Sequence, residues 1–246
     1  MIIIHTNDSF FNITSDKINV VIKMVLKSFI GLVKSMLLFL IYVFISAIFP
    51  TSLSKEIKLL LTAVIFIIII SLAFNRNLKE DSKDLKNKFN YKYLLFGAIM
   101  SIITIGVDYL LVKYLGHNAA NQTEIVSMLK KSPIIMILGT VIFVPFAEEL
   151  IYRFPYRKSN KVISLIISSL VFAGAHMVGT DEIIFIIPYL LLSFTIGYTY
   201  FKTDNIYMSY FVHAINNLIN VLLLIWWYNE KEKNKRKRIC IWNKRI

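Results

Sequence analysis

Apolar residues in this chain collect into long runs separated by short charged stretches. The runs fall near residues 28–49, 57–74, 93–115, 134–152, 162–178, 183–201 and 206–228. Each is about 17–23 residues long, the length an α-helix needs to cross about 30 Å of hydrocarbon. Soluble core helices are usually shorter and rarely come seven in succession. The pattern therefore predicts an all-α, polytopic transmembrane helical bundle. The connections support it: residues 75–92 (NRNLKEDSKDLKNKFNYK) and 116–133 read as polar loops. The expected organisation is an N-terminal segment 1–27, a membrane-embedded domain 28–228 and a basic tail 229–246. Seven crossings would put the tail, rich in Lys and Arg, opposite the other basic loops, against the bias that keeps such loops in the cytoplasm. Seven to eight spans are expected, an even number satisfying the charge bias better.

Composition sharpens this picture. Hydrophobic residues make up 57% and charged residues only 17%, with a mean hydropathy of +0.63. That is too apolar for an ordinary soluble domain and far too apolar for a disordered one. The net charge of +13, from 28 Lys+Arg against 15 Asp+Glu, would suggest nucleic acid in a soluble protein. Here it belongs to loops and a tail that meet anionic lipid headgroups, and no nucleic-acid partner is expected. The lone Cys240 excludes an internal disulfide framework and a multi-Cys metal site. Trp226, Trp227 and Tyr228 read as an interfacial belt.

Ionisable residues inside a span are costly, which makes them functional candidates. They gather in the second half of the chain. Glu148, Glu149 and Arg153 lie in FAEELIYR at the end of the fourth run. Glu149 and Arg153, four apart, share a helix face and can pair. Glu148 lies about 100° around the helix with no local partner and suits a general base. Headgroup placement of all three is the plain alternative. His176 follows Phe172 in VFAGAH, where Ala173, Gly174 and Ala175 permit close helix approach. His213, Asn216 and Asn217 sit well inside the seventh run, where interhelical hydrogen bonding is the alternative to chemistry. Together the groups could activate water and stabilise an oxyanion, or hold a divalent metal. Pro145 and Pro188 read as tolerated kinks.

The motifs EELIYR, FAGAH and HAINN follow the patterns EExxxR, FxxxH and HxxxN on successive spans. In that order they resemble the CAAX-protease and bacteriocin-processing (CPBP, or Abi) family of intramembrane proteases, over about residues 134–228. The resemblance implies an endopeptidase that cleaves a small membrane-bound or lipidated peptide or protein. Glu148 would activate water with His176 assisting; His213 and Asn217 would form the oxyanion site; Glu149 and Arg153 would support them. It leaves open whether a divalent metal such as zinc is held by Glu148, His176 and His213 or the glutamate acts alone. The alternative within the same fold is a non-catalytic bacteriocin-immunity or regulatory scaffold. A composition rich in Ile, Lys and Asn points to the cell membrane of a Gram-positive bacterium.

Overall fold

A computed structural model describes the backbone of residues 8–116, 120–178 and 183–243, and the side chains of 18–116, 124–178 and 183–226. Among the described residues the chain is helical throughout, with no strand. The helices are α1 (Asp8–Ile48), α2 (Lys55–Ala73), α3 (Asn75–Lys88), α4 (Tyr91–Leu115), α5 (Ala120–Lys131), α6 (Pro133–Ile137), α7 (Val144–Tyr152), α8 (Lys161–His176), α9 (Ile186–Thr203) and α10 (Ile206–Asn243). A π-helical stretch, Leu138–Phe143, joins α6 to α7, so the three form one passage through the bundle.

Among the described residues, six segments are long and apolar enough to cross a membrane: Ile18–Ile48, Lys55–Ala73, Tyr91–Leu115, Pro133–Tyr156, Ile183–Thr203 and Ile206–Trp226. The fifth run forms the shorter helix α8, of 16 residues. The protein is thus a multi-pass helical membrane protein with six such segments, where sequence alone suggests seven to eight. Helix ends sit where local chemistry stops or starts them. The Asn90 side chain accepts from the Lys92 amide at 3.0 Å and that of Asn160 from the Ile163 amide at 2.9 Å, capping α4 and α8. Gly116 closes α4 in the left-handed conformation, φ 81°.

Three features depart from the apolar pattern. The stretch 75–92 contains the helix α3, of whose fourteen residues only Leu78 and Asp81 are buried. The stretch 116–133 likewise contains α5. Both are too polar to register as helices by apolar periodicity. Helix α1 runs unbroken across residue 27 and α10 across residue 228. The side chains of Trp227, Tyr228 and Cys240 lie outside the described residues, while Trp226 is exposed. Pro188 falls in the first turn of α9, where an amide has no intrahelical partner to lose.

The interior is built on the second half of the chain. Ala147, Leu150, Ile151, Tyr152, Phe172, Tyr200 and Ile206 are buried together with Ile45, Phe66 and Ile70 of α1 and α2. Small buried residues line the contacts of α8: the Ser164 hydroxyl lies 2.9 Å from that of Ser28 on α1, and Ser169 Oγ would lie 3.6 Å from a Cβ at Gly197 of α9. Such residues let membrane helices approach closely. Gly174 is not among them, for it is exposed and a side chain there would meet nothing within 4 Å.

Candidate active site

The three sequence motifs converge. His176 Nε2 lies 3.5 Å from Glu148 Oε1, and His213 Nε2 lies 3.4 Å from Glu148 Oε2. Two imidazoles from α8 and α10 therefore approach one carboxylate from α7. Glu148 and His176 side chains are 19% and 18% exposed, whereas His213 is 1% and Glu149 0%. The first pair is partly open at the surface; the second pair is sealed behind it.

The other ring nitrogens fix the orientation of both histidines. His176 Nδ1 lies 2.8 Å from the Phe172 carbonyl, one turn back on α8. A carbonyl only accepts, so Nδ1 carries a proton. His213 Nδ1 donates in the same way to Glu149 Oε1 at 3.0 Å. In the neutral rings, both Nε2 atoms then present lone pairs to the Glu148 carboxylate. Three acceptors facing one small volume call for proton donors or a cation between them. A water molecule, with two protons to give, meets that need. So by donor type does a divalent metal, for Nε2 ligands whose Nδ1–H is held by a carbonyl or carboxylate are the usual pattern. Among the described residues, however, no group of three His, Cys, Asp or Glu side chains is spaced as a ready-made metal site. The donor chemistry fits a metal; the spacing as it stands does not form a cage.

Aromatic rings hold His176 flat. Its ring stacks on Phe172 with centroids 4.3 Å apart and on Tyr189 at 4.9 Å, both tilted by 30°. Phe172 also meets Tyr152 and His213 edge-on, at 5.3 and 5.7 Å. The helical spacing of FAGAH thus places one ring beneath both catalytic candidates.

Arg153 is fully buried but does not spend its hydrogen bonds on Glu149 as the four-residue spacing suggests. Its Nη2 donates to Ser193 Oγ at 2.7 Å and to the Ser193 carbonyl at 3.2 Å. Its Nη1 faces the Tyr152 and Ser168 carbonyls at 3.3 and 3.5 Å. The guanidinium also lies 5.3 Å from the Phe172 ring centre. The physical reason is where α7 ends: Arg153 is its C-cap, with φ −120°, and the side chain leaves the helix face toward α8 and α9. Gly197 makes room chiefly for Leu165, for a Cβ there would lie 2.7 Å from Leu165 Cδ1 but 3.5 Å, ordinary contact, from Arg153 Nε. Arg153 ties three helices together and supplies positive charge near both carboxylates.

Asn217 sits on the π segment. Its Nδ2 donates to the Thr140 carbonyl at 2.8 Å, and its Oδ1 accepts from Asn216 Nδ2 at 3.1 Å. Within that segment the Val144 amide donates to the Gly139 carbonyl, the five-residue spacing of a π-helix. In the same register the next amide belongs to Pro145, which has none to give. Thr140 is left with a carbonyl in need of a donor, and Asn217 provides it. The Thr140 hydroxyl bonds back to the Met136 carbonyl at 2.7 Å. Tyr189, Ser193 and Thr140 carry no signal in the sequence that would mark them, beyond a polar or aromatic residue in an apolar run.

The fold is that of a multi-pass helical membrane protein in which α7, α8 and α10 bring a carboxylate and two imidazoles together. A family model described as type II CAAX prenyl endopeptidase Rce1-like matches residues 130–219, which include every site residue above. The UPF0177 protein YxdF of Lactococcus lactis is 32% identical over 65% of this chain and 89% of its own length. An uncharacterized protein of Mycoplasma capricolum is 30% identical over 68% of this chain and 55% of its own. The "Putative membrane peptidase YdiL" of Bacillus subtilis is 21% identical over 65% of this chain and 66% of its own. No solved structure matches the chain significantly. The chain belongs to the CPBP family of membrane proteases.

Proposed function

We propose that this protein is an intramembrane endopeptidase that cleaves a small membrane-bound or lipidated peptide or protein in the cell membrane of a Gram-positive bacterium. The observation that carries the reading is the approach of two imidazole Nε2 atoms to the half-open carboxylate of Glu148. In this mechanism Glu148 takes a proton from water, and the resulting hydroxide adds to the scissile carbonyl carbon. The oxyanion so formed is met by the Nε2–H of His213, which in this route enters the cycle as an imidazolium rather than the neutral ring, its Nδ1–H held by Glu149, and keeps both protons throughout. The C–N bond then breaks as the departing amine takes the proton back, with His176 as the carrier between Glu148 and the leaving group. Asn217 keeps the π segment, and with it Glu148, in position. A divalent metal such as zinc would be held by Glu148, His176 and His213, and would supply Lewis-acid polarisation of the same water. The basic loops and tail hold anionic lipid around the site.

The decisive experiment is mass spectrometry of membrane peptides from cells carrying wild type or Glu148→Ala. A peptide that accumulates uncut in the variant identifies both substrate and bond. Identical peptide profiles, with the variant present at wild-type levels, would defeat the hydrolytic reading.

A further inference from the structure

Helix α3 is polar along most of its length, yet it buries a carboxylate. Asp81 is 3% exposed. Its Oδ1 accepts from Arg157 Nη1, and its Oδ2 accepts from the Ile206 amide at 3.2 Å. Asn205, fully buried, donates from Nδ2 to the Asp81 carbonyl at 2.7 Å and accepts the Tyr207 amide at 3.0 Å. Arg157 Nη2 also lies 3.5 Å from Glu80 Oε2, and the Tyr207 hydroxyl lies 3.4 Å from the Leu78 carbonyl.

These partners belong to two different site-bearing elements. Arg157 follows α7, four residues beyond Arg153. Ile206 opens α10, where an anion is favoured by the exposed amides and the helix dipole. His213 lies seven residues further along α10, about 10 Å of stiff helix. A single carboxylate thus bonds the exit of the Glu148 helix and the entrance of the His213 helix.

We propose that Asp81, with Arg157 and Asn205, is a positioning latch through which the surface helix α3 sets the spacing between Glu148 on α7 and His213 on α10. The proposal rests on the hydrolytic reading for its effect on turnover, but its geometric content stands apart from it. Asp81 does not touch the reacting atoms; it acts through the two helices it joins.

The test uses the full chain in detergent or vesicles, well below its unfolding temperature. Asp81→Ala and Arg157→Ala should each lower kcat about tenfold or more, with KM within about twofold, because small misplacement of reacting groups costs rate before binding. The double variant should be no worse than either single, since the two act as a unit. Asp81→Asn keeps the shape and one acceptor but turns the other into a donor facing an N–H of Arg157 or Ile206 and loses the charge, so it should recover only a small part of the rate. Spin labels at Ile142→Cys and Leu222→Cys, two exposed positions, in a Cys240→Ser background, should report a shifted or broadened distance in Asp81→Ala. If distance and kcat stay at wild-type values while only thermal stability falls, Asp81 merely anchors α3 and the latch is refuted. If Glu148→Gln retains full turnover, Glu148 is not the base and the proposed mechanism fails, while the spin-label distance still decides whether Asp81 sets the spacing between α10 and the passage that carries α7.

Discussion

Gly97 and Gly106 lie in the same helix, α4, and make opposite expectations testable side by side. A Cβ at Gly97 would stand 2.6 Å from Val212 Cγ1 and 3.3 Å from both Val212 Cβ and Cγ2. All three carbons are close, so turning the valine to another rotamer clears nothing, and its β-branch is stiff in any case. The backbones of α4 and α10 must separate by about 0.8 Å or more to restore ordinary contact. Val212 is 1% exposed and directly precedes His213, so the displacement falls on the candidate site. Overpacking of this kind costs about 1–3 kcal/mol. The usual gain from replacing a helical glycine is small here, because membrane spans are already helical before they pack. At Gly106 an added Cβ meets nothing within 4 Å. Gly97→Ala should therefore lose about 1–3 kcal/mol in reversible denaturant unfolding from mixed micelles and about 10–100-fold in kcat. Gly106→Ala should match wild type in both. A Gly97→Ala protein as stable and active as wild type would refute the packing argument, as would equal losses at both positions.

Three further outcomes follow from the site. Glu148→Gln and His176→Ala should abolish or nearly abolish peptide hydrolysis while the protein still accumulates and unfolds like wild type, as read by single-turnover cleavage and thermal melting. Asn217→Ala removes the donor to the Thr140 carbonyl and should cost about 1 kcal/mol of stability. Adding Pro145→Ala restores a backbone amide in that register and should recover much of this cost in a double-variant cycle. Ser193→Ala removes the shortest hydrogen bond to Arg153 and should cost about 1.5–3 kcal/mol, the range for bonds to charged groups. Ser193→Thr, which keeps the hydroxyl, should lose less in the same unfolding assay.

Length and hydropathy were enough to place most of the long helices, because lipid demands long apolar segments and little else. The same criterion is blind to α3 and α5, whose residues answer to the membrane surface and to single polar partners such as Asp81. The motif spacing placed Glu148, His176 and His213 on three spans, and the structure brings them together. Spacing misled for Arg153, because a four-residue rule assumes that the helix continues, and α7 ends at that residue. The service of Asn217 to the π segment was not legible either. It depends on Pro145 leaving a carbonyl without a donor some 77 residues away in the chain, which only the folded arrangement reveals.

Helix α8 has one more consequence. Its 16 residues reach about 24 Å, short of the roughly 30 Å of an average hydrocarbon core. His176 ends that helix, so a bilayer crossed by α8 would have to thin around it or leave the His176 end beneath headgroup level. Under the proposed mechanism, hydrophobic mismatch would then tune turnover, with lipid thickness setting how easily water meets Glu148. Reconstitution in vesicles of graded acyl-chain length should give the highest turnover in thin bilayers and a steady decline as the chains lengthen.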